Sequence, residues 1–196
     1  MAGLFIDEGP IVQVKDRDNN PSVLKDKDKN VLYTGPLAVM VNEFSASASE
    51  IFAAAIQDYN RGVVIGSTST YGKGTVQRNI GLDRALGMVD PNSDLGTVKL
   101  TLQKFYRING GATQLRGVEP DVVLPDRLEY LKFREKDNPN ALKWDEISKA
   151  RGNKRAEFLF DDDTTFTVGN SSFQTVYGGH GHTEDNIVIW FEEDRI

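Results

Sequence analysis

The chain has 196 residues and no cysteine, so it can bury a core but cannot form disulfides, thiolate metal sites or a cysteine nucleophile. Its mean hydropathy of -0.42, with no apolar run near ~20 residues, excludes a membrane-spanning helix. The formal net charge of -6 lies wholly in residues 152–196, and a neutral body with an acidic end argues against a nucleic-acid surface, which requires clustered positive charge.

The N-terminal segment contains one predicted strand. Residues 1–6 have no basic start and too short an apolar stretch for a signal peptide, which favours a cytosolic protein or a piece of a longer one. Residues 11–14 are apolar and predict a short strand. Residues 16–30 are polar and charged, which predicts a turn or a long hairpin loop.

A strand, a helix and a second strand are predicted next. Residues 36–41 form a continuous apolar run, which is typical of a strand buried on both faces. Residues 47–59 carry an apolar stripe at helical spacing, made by Ile51, Phe52, Ala55, Ile56 and Tyr59. Residues 62–66 predict a second buried strand. Because the links are short, we expect a βαβ unit with parallel strands and a right-handed crossover.

The following segment alternates and then becomes polar. Residues 97–106 largely alternate between apolar and polar side chains and predict a half-buried strand. Residues 109–111 mark a turn, and residues 118–125 contain two prolines that predict an edge or exit segment. Residues 128–150 are charged and compatible with a helix, interrupted at residues 137–140.

The last 45 residues differ from the rest in composition and predict a small β-rich appendage. Four short β-prone runs are separated by Asp, Gly, Asn and Ser, at residues 158–160, 164–168, 173–177 and 187–191. We therefore expect a body over residues 1–151 and an acidic β-rich appendage over residues 152–196.

A serine-rich helix start and a Gly-Lys-Gly loop suggest catalytic chemistry. A serine at the start of a helix has free backbone N–H groups beside it, which can stabilise the oxyanion formed when its hydroxyl attacks a carbonyl. Such a hydroxyl needs a base. The two histidines lie in the appendage, whereas Lys73 follows the second predicted strand. A desolvated lysine can act as a general base. Gly72 and Gly74 would let the Lys73 backbone approach the helix start, and Gln77 could hold the amine.

The segments FSASASEIFAAAIQDYNRGVVIG and YGKGTVQ resemble the catalytic core of the C-terminal processing (tail-specific) serine proteases. The resemblance extends over about residues 3–150. It implies Ser47 as the nucleophile, Lys73 as its base, Gln77 as the residue that assists Lys73, and Ala48 as a donor to the oxyanion. Ser45 or Ser49 stays possible as the nucleophile.

The resemblance also implies a fold and an activity. The expected fold is α/β, with a βαβ core of the ClpP/crotonase-like kind and a small β-rich C-terminal appendage. The expected function is a serine endopeptidase that hydrolyses proteins recognised by their C-termini, without a cofactor or metal. Residues 1–151 would form a partial catalytic domain that lacks the PDZ domain of the family. Family members are mostly periplasmic or otherwise exported.

The sequence also allows other interpretations. The chain could be a non-catalytic fragment or peptide-binding module of protease ancestry, or an interaction protein that works through its acidic appendage. The serines of residues 45–49 could simply cap a helix. His180 and His182, with Glu184 and Asp185, are candidate metal ligands, and residues 161–163 are a weaker candidate for calcium.

Overall fold

The computed structural model describes residues 1–87 and 95–151, together with the backbone of three strands in the appendage. The strands are β1 (Gly9–Asp16), β2 (Pro21–Asp26), β3 (Ala38–Val41), β4 (Val63–Gly66), β5 (Thr75–Gly81), β6 (Thr97–Tyr106), β7 (Val122–Val123), β8 (Thr164–Val168), β9 (Ser171–Tyr177) and β10 (Ile187–Phe191). The α-helices are α1 (Ala48–Asp58) and α2 (Leu82–Ala85), and 3-10 turns lie at Ala2–Leu4 and Glu135–Asp137. No described helix has the length and apolar character needed to cross a bilayer.

The predicted βαβ unit is confirmed. Helix α1 connects β3 to β4, and these strands pair in parallel from Ala38 opposite Val63 to Val41 opposite Gly66. Strand β7 pairs in parallel with the other side of β4, giving the order β3-β4-β7. The segment of residues 118–125 therefore contains β7, which lies at the edge of this three-stranded sheet, as its prolines predict. The unit places the β3–α1 loop and the end of β4 at the same edge of the sheet.

The face of α1 that carries small residues packs against this sheet. Ala53 and Ala54 are buried with Val41, Val64 and Val118. The other side of the helix packs elsewhere, where Ala55, Ile56 and Tyr59 share a cluster with Ile108. Burial of these apolar side chains contributes about 25 cal/mol per Å² of apolar surface removed from water. Of the predicted stripe, Ala55, Ile56 and Tyr59 are buried and Ile51 and Phe52 are half-buried. The buried Ala53 and Ala54 lie outside that stripe.

A second, antiparallel sheet has the strand order β2-β1-β6-β5. The predicted turn or hairpin loop over residues 16–30 is confirmed at residues 17–20 and 27–30. It is wrong for Pro21–Asp26, which forms β2 and pairs with β1. All of β2 is exposed or half-buried, so its sequence carries none of the apolar alternation that identifies a strand. Strand β6 ends in the buried rings of Phe105 and Tyr106.

Two further predictions are corrected. The apolar run of β3 is not buried on both faces, because β3 is an outer strand and Met40 is 59% exposed. Residues 128–150 contain no α-helix; among the described residues their regular structure is the 3-10 turn at Glu135–Asp137. Side-chain contacts and single backbone hydrogen bonds, such as that from the Ile147 N–H to the Gly110 carbonyl, hold this segment. The appendage forms a three-stranded antiparallel sheet in the order β10-β9-β8, whose strands overlap three of the four predicted runs; residues 158–160 lie outside the described residues.

The Arg134 guanidinium anchors residues 128–134 to the end of β4. Both of its terminal nitrogens donate to the Glu129 carboxylate at 2.9 Å, and Nη2 also donates to the Ser69 carbonyl at 3.3 Å. Arg134 is buried, and the Glu129 side chain is 38% exposed. The hydrogen bonds from Arg134 and then from Thr68 lower the pKa of Glu129 to about 2.

The substitution Gly66→Ala should destabilise the protein. A Cβ at this position would lie 1.8 Å from the carbonyl oxygen of Val41, which belongs to the backbone of β3 and cannot move aside cheaply. We expect the free energy of unfolding to fall by about 3 kcal/mol. The control is Gly81→Ala in β5, where nothing lies within 4 Å of the added methyl group. Equal free energies in urea denaturation of the two variants would contradict this packing.

Stability should fall in acid through Glu129. Because the folded-state pKa of this carboxyl lies below its unfolded value, its contribution is present above about pH 4.5 and is lost as the pH falls towards about 2. Solvent screening limits it to roughly 0.5–1 kcal/mol. Urea denaturation at pH 6 and pH 3 should show a smaller loss for Glu129→Gln than for the control Glu119→Gln, an exposed side chain. An unchanged loss in Glu129→Gln would mean that Glu129 does not contribute.

Candidate active site

Ser47 lies at the junction of β3 and α1, as the sequence predicts. It is the N-cap of α1 and has φ 57° and ψ −109°, a conformation that a residue with a Cβ rarely adopts. The preceding loop is closed on itself, since the Asn42 N–H donates to Ser45 Oγ at 3.1 Å and the Ser45 N–H donates to the Asn42 carbonyl at 2.9 Å. Strain of this kind persists only where the surroundings enforce it. In the nucleophile elbow of α/β-hydrolases, a strained strand-to-helix turn exposes a serine hydroxyl.

The Glu50 carboxylate links Ser47 to the Lys73 loop. Its Oε2 accepts the backbone N–H of Ser47 at 2.7 Å and that of Lys73 at 3.0 Å. Its Oε1 accepts the Thr70 hydroxyl and the Gly72 N–H, both at 2.6 Å. Because the backbone nitrogens of Ser47 and Lys73 contact one oxygen atom, the structure brings these two predicted residues together.

Glu50 is fully buried and ion-paired with no lysine or arginine in the described part of the chain. Burial raises the pKa of its carboxyl, and the four hydrogen bonds oppose this effect. An unpaired buried charge is costly unless such donors replace water. The carboxylate therefore keeps these donors in place, because each lost bond would leave a buried polar group without a partner.

In the loop that carries Lys73, every backbone N–H and carbonyl of residues 71–74 makes a hydrogen bond. The N–H groups of Tyr71, Gly72, Lys73 and Gly74 donate to the Ser45 carbonyl, to Glu50 Oε1, to Glu50 Oε2 and to Gln114 Oε1. The carbonyls of the same residues accept from the N–H of Glu135, the N–H of Leu115, the Thr113 hydroxyl and the N–H of Phe105. Such complete pairing fixes the backbone from which the Lys73 side chain extends.

The two glycines of the Gly-Lys-Gly sequence are required by close backbone contacts. A Cβ on Gly74 would lie 2.6 Å from the Gln114 nitrogen, and Gly72 has φ +92° with the Leu115 backbone 3.1 Å from its added Cβ. The sequence explains these glycines by the approach of Lys73 to the start of α1. The structure adds a second reason, because residues 114 and 115 fill the space that side chains at positions 72 and 74 would occupy.

The Lys73 side chain points along β5. Its Nζ donates to Gln77 Oε1 at 3.2 Å, so the predicted Lys–Gln pair is in contact. Lys73 is half-buried and Gln77 is exposed, so the amine is less desolvated than the sequence argument assumes. In the part of the chain that the structure describes, no hydrogen bond joins Lys73 Nζ to Ser47 Oγ.

The remaining predicted residues lie at the start of α1. Ala48 is exposed, and within residues 1–87 and 95–151 its backbone N–H donates to no acceptor, as expected for the first turn of a helix. Of the alternative nucleophiles, Ser45 has its hydroxyl occupied by the Asn42 N–H, and Ser49 is exposed on the helix.

The candidate metal ligands of the appendage, at residues 161–163 and 180–185, lie outside the described residues. Within the described residues, no group of three or more His, Asp and Glu side chains could hold a metal ion.

Two residues of this site were not identified from the sequence. Glu50 stands three residues after Ser47, and the Ser-x-x-Glu spacing of a capping box could have indicated its contact with the Ser47 N–H. Gln114 is separated from Gly74 by 40 residues and carries no local signal.

Known proteins share much of this sequence. The sequence model of peptidase family S41 matches residues 1–124. The tail-specific protease of Haemophilus influenzae is 48% identical over 150 residues, which cover 76% of this chain and 21% of that protein. The carboxy-terminal processing protease CtpA of Bacillus subtilis is 39% identical over 137 residues, which cover 67% of this chain and 27% of that protein. The chain thus spans about a quarter of the length of these relatives.

A solved structure supports the same relationship. The photosystem II D1 C-terminal processing protease aligns with a TM-score of 0.54 and 30% identity, covering 65% of this chain and 30% of that one. The resemblance stated from the sequence motifs and the mixed α/β fold class are therefore confirmed.

The substitution Glu50→Gln should destabilise the protein although it preserves the size of the side chain. An amide nitrogen in place of either oxygen would face a backbone N–H, so at least one buried donor would lose its acceptor. We expect the free energy of unfolding to fall by about 2–3 kcal/mol. The exposed Glu119→Gln is the control for charge removal, and a loss no larger than that of the control would contradict this role of Glu50.

Proposed function

The chain belongs to peptidase family S41, and from this premise we propose that it carries a serine peptidase site in which Lys73 activates Ser47. The finding that best supports the proposal is the shared contact of the Ser47 and Lys73 backbones with Glu50 Oε2. It requires the two residues to be neighbours although 26 positions separate them in sequence.

The proposed reaction uses the residues in a fixed order. Lys73 acts as the general base, and its amine takes the proton of the Ser47 hydroxyl as the oxygen attacks the peptide carbonyl. The resulting oxyanion accepts the free Ala48 N–H at the positive end of α1. Lys73 then gives its proton to the leaving amine, which departs from an acyl-enzyme. A water molecule gives a proton to Lys73 as it attacks the acyl carbonyl. The bond between the acyl group and Ser47 Oγ then breaks, the acid product leaves, and Lys73 returns the proton to Ser47 Oγ.

Gln77 would orient the amine during these transfers. Its side-chain oxygen accepts a hydrogen bond from Lys73 Nζ and cannot itself titrate. The lysine side chain has four rotatable bonds, so Nζ can move from Gln77 towards the hydroxyl while the backbone stays fixed. Catalytic hydrogen bonds often tighten only when substrate binds.

The substrate class follows from the relatives. Their names describe carboxy-terminal processing and tail-specific cleavage, and we propose that the substrates of this protein are proteins recognised by their C-termini. Residues 1–151 would supply the catalytic part, and residues 152–196 the acidic β-rich appendage. A periplasmic or otherwise exported location is proposed on the same resemblance.

One observation favours a second candidate, a non-catalytic peptide-binding module of the same ancestry. Lys73 Nζ is hydrogen-bonded to the exposed Gln77 rather than to Ser47 Oγ. The experiment below separates the two candidates.

Reaction of the full chain with a fluorophosphonate probe tests the proposal. We expect covalent labelling at Ser47, and a rate about 10³-fold lower or more in Ser47→Ala and Lys73→Ala, which remove the nucleophile and its base. Gln77→Ala should slow labelling about tenfold, because the amine is then less well oriented.

The control is Ser49→Ala, which removes an exposed hydroxyl two residues from Ser47 on the same helix. Mass spectrometry identifies the labelled residue. A folded chain that the probe does not label would favour the binding module, and labelling that persists in Lys73→Ala would exclude the proposed base.

A further inference from the structure

Residues 113–115, called here the 113–115 clamp, contact the Lys73 loop at three successive positions. The Thr113 hydroxyl donates to the Lys73 carbonyl at 3.2 Å. The Gln114 side-chain oxygen accepts the Gly74 N–H at 2.9 Å, and the Leu115 N–H donates to the Gly72 carbonyl at 2.8 Å. The clamp therefore binds Lys73 and both of its neighbours.

Within the clamp, Gln114 makes a hydrogen bond at each end of its side-chain amide. It is fully buried, and while Oε1 accepts the Gly74 N–H, Nε2 donates to Glu135 Oε1 at 3.0 Å. Glu135 is itself tied to the loop, because its backbone N–H donates to the Tyr71 carbonyl at 3.0 Å. Both ends of the amide are thus occupied, and the amide is fixed between the loop and residue 135.

The clamp is held under strain. Leu115 has φ 65°, a left-handed conformation that is rare for a bulky residue. Two residues after Leu115, a Cβ on Gly117 would lie 2.6 Å from Thr70 Oγ1. The same hydroxyl oxygen of Thr70 accepts the Val118 N–H at 2.7 Å. Thr70 also donates to Glu50, so the clamp and the carboxylate between Ser47 and Lys73 belong to one connected set of contacts.

We propose that Gln114 is a positioning residue for Lys73: by holding the peptide group between Lys73 and Gly74, it sets the direction in which the lysine side chain leaves the loop. This inference rests on the proposed role of Lys73 as the base. Gln114 contacts neither the Lys73 amine nor any reacting atom, and it acts through the backbone alone.

Because the Gln114 amide is hydrogen-bonded to the Glu135 carboxylate, exchanging these two side chains tests the positioning role directly. In Gln114→Glu, one carboxylate oxygen could still accept the Gly74 N–H, but the other would face the Glu135 carboxylate at about the present 3.0 Å, and the two charges would repel. In the double variant Gln114→Glu with Glu135→Gln, the amide and the carboxylate exchange places. The Gly74 N–H then has its acceptor again, and the second hydrogen bond runs in the opposite direction.

Two readouts are measured on the full chain at neutral pH, where circular dichroism shows each variant to be folded. The first is the rate of fluorophosphonate labelling at Ser47. We expect Gln114→Glu to lower it about ten- to hundredfold, and the double variant to recover most of it, because small displacements of a catalytic group have large effects on rate. The control Gln103→Glu makes the same change on β6, at a side chain that makes no hydrogen bond among the described residues.

The second readout does not depend on peptidase chemistry. Trace acetylation with acetic anhydride, analysed by mass spectrometry, gives the reactivity of Lys73 relative to the exposed Lys99. We expect this ratio to change about threefold in Gln114→Glu and to return in the double variant. If the wild-type chain is not labelled at Ser47, the proposed function fails while this ratio still tests the positioning role. An unchanged ratio and rate in folded Gln114→Glu would overturn the inference and leave Gln114 a merely structural residue.

Discussion

A single buried carboxylate joins the two parts of the site. Glu50 lies in the first turn of α1, and its oxygens accept donors from the helix start, from Thr70 and from the Lys73 loop. With no lysine or arginine beside it in the described chain, the charge is stabilised only by these donors and by the helix dipole. Movement of the loop away from the helix would break several bonds to a buried charge at once. The relative position of Ser47 and Lys73 is therefore coupled to the folding of the body itself.

Close backbone packing makes this arrangement possible. Gly66 lets β4 approach Val41, and Gly72 and Gly74 let the Lys73 loop lie against residues 114 and 115. Small residues on α1 have the same effect, since Ala53 and Ala54 allow the helix to pack against Val64 and Val118. These residues contribute little apolar surface of their own. Their value lies in the short distances that they allow between hydrogen-bonding groups.

The sequence identifies those parts of the protein whose signals are local. The apolar runs and the helical stripe predict the βαβ unit, and the serine-rich motif with Gly-Lys-Gly indicates the family. Strands β2 and β5 escape prediction because both are largely exposed and carry polar side chains. The segment 128–150 has helix-compatible composition, but Arg134 anchors it through side-chain bonds to Glu129 and Ser69. Gln114 could not be found because its contact with Gly74 exists only after folding.

The backbone conformation of Ser47 is one that a residue with a side chain adopts at a cost in stability. Its φ of 57° and ψ of −109° are the mirror image of an ordinary extended conformation, which glycine adopts without strain. A glycine would therefore relax this turn and remove the hydroxyl in the same step. On the proposed role of Ser47 as the nucleophile, the hydroxyl is what offsets the stability that a glycine would restore at this turn.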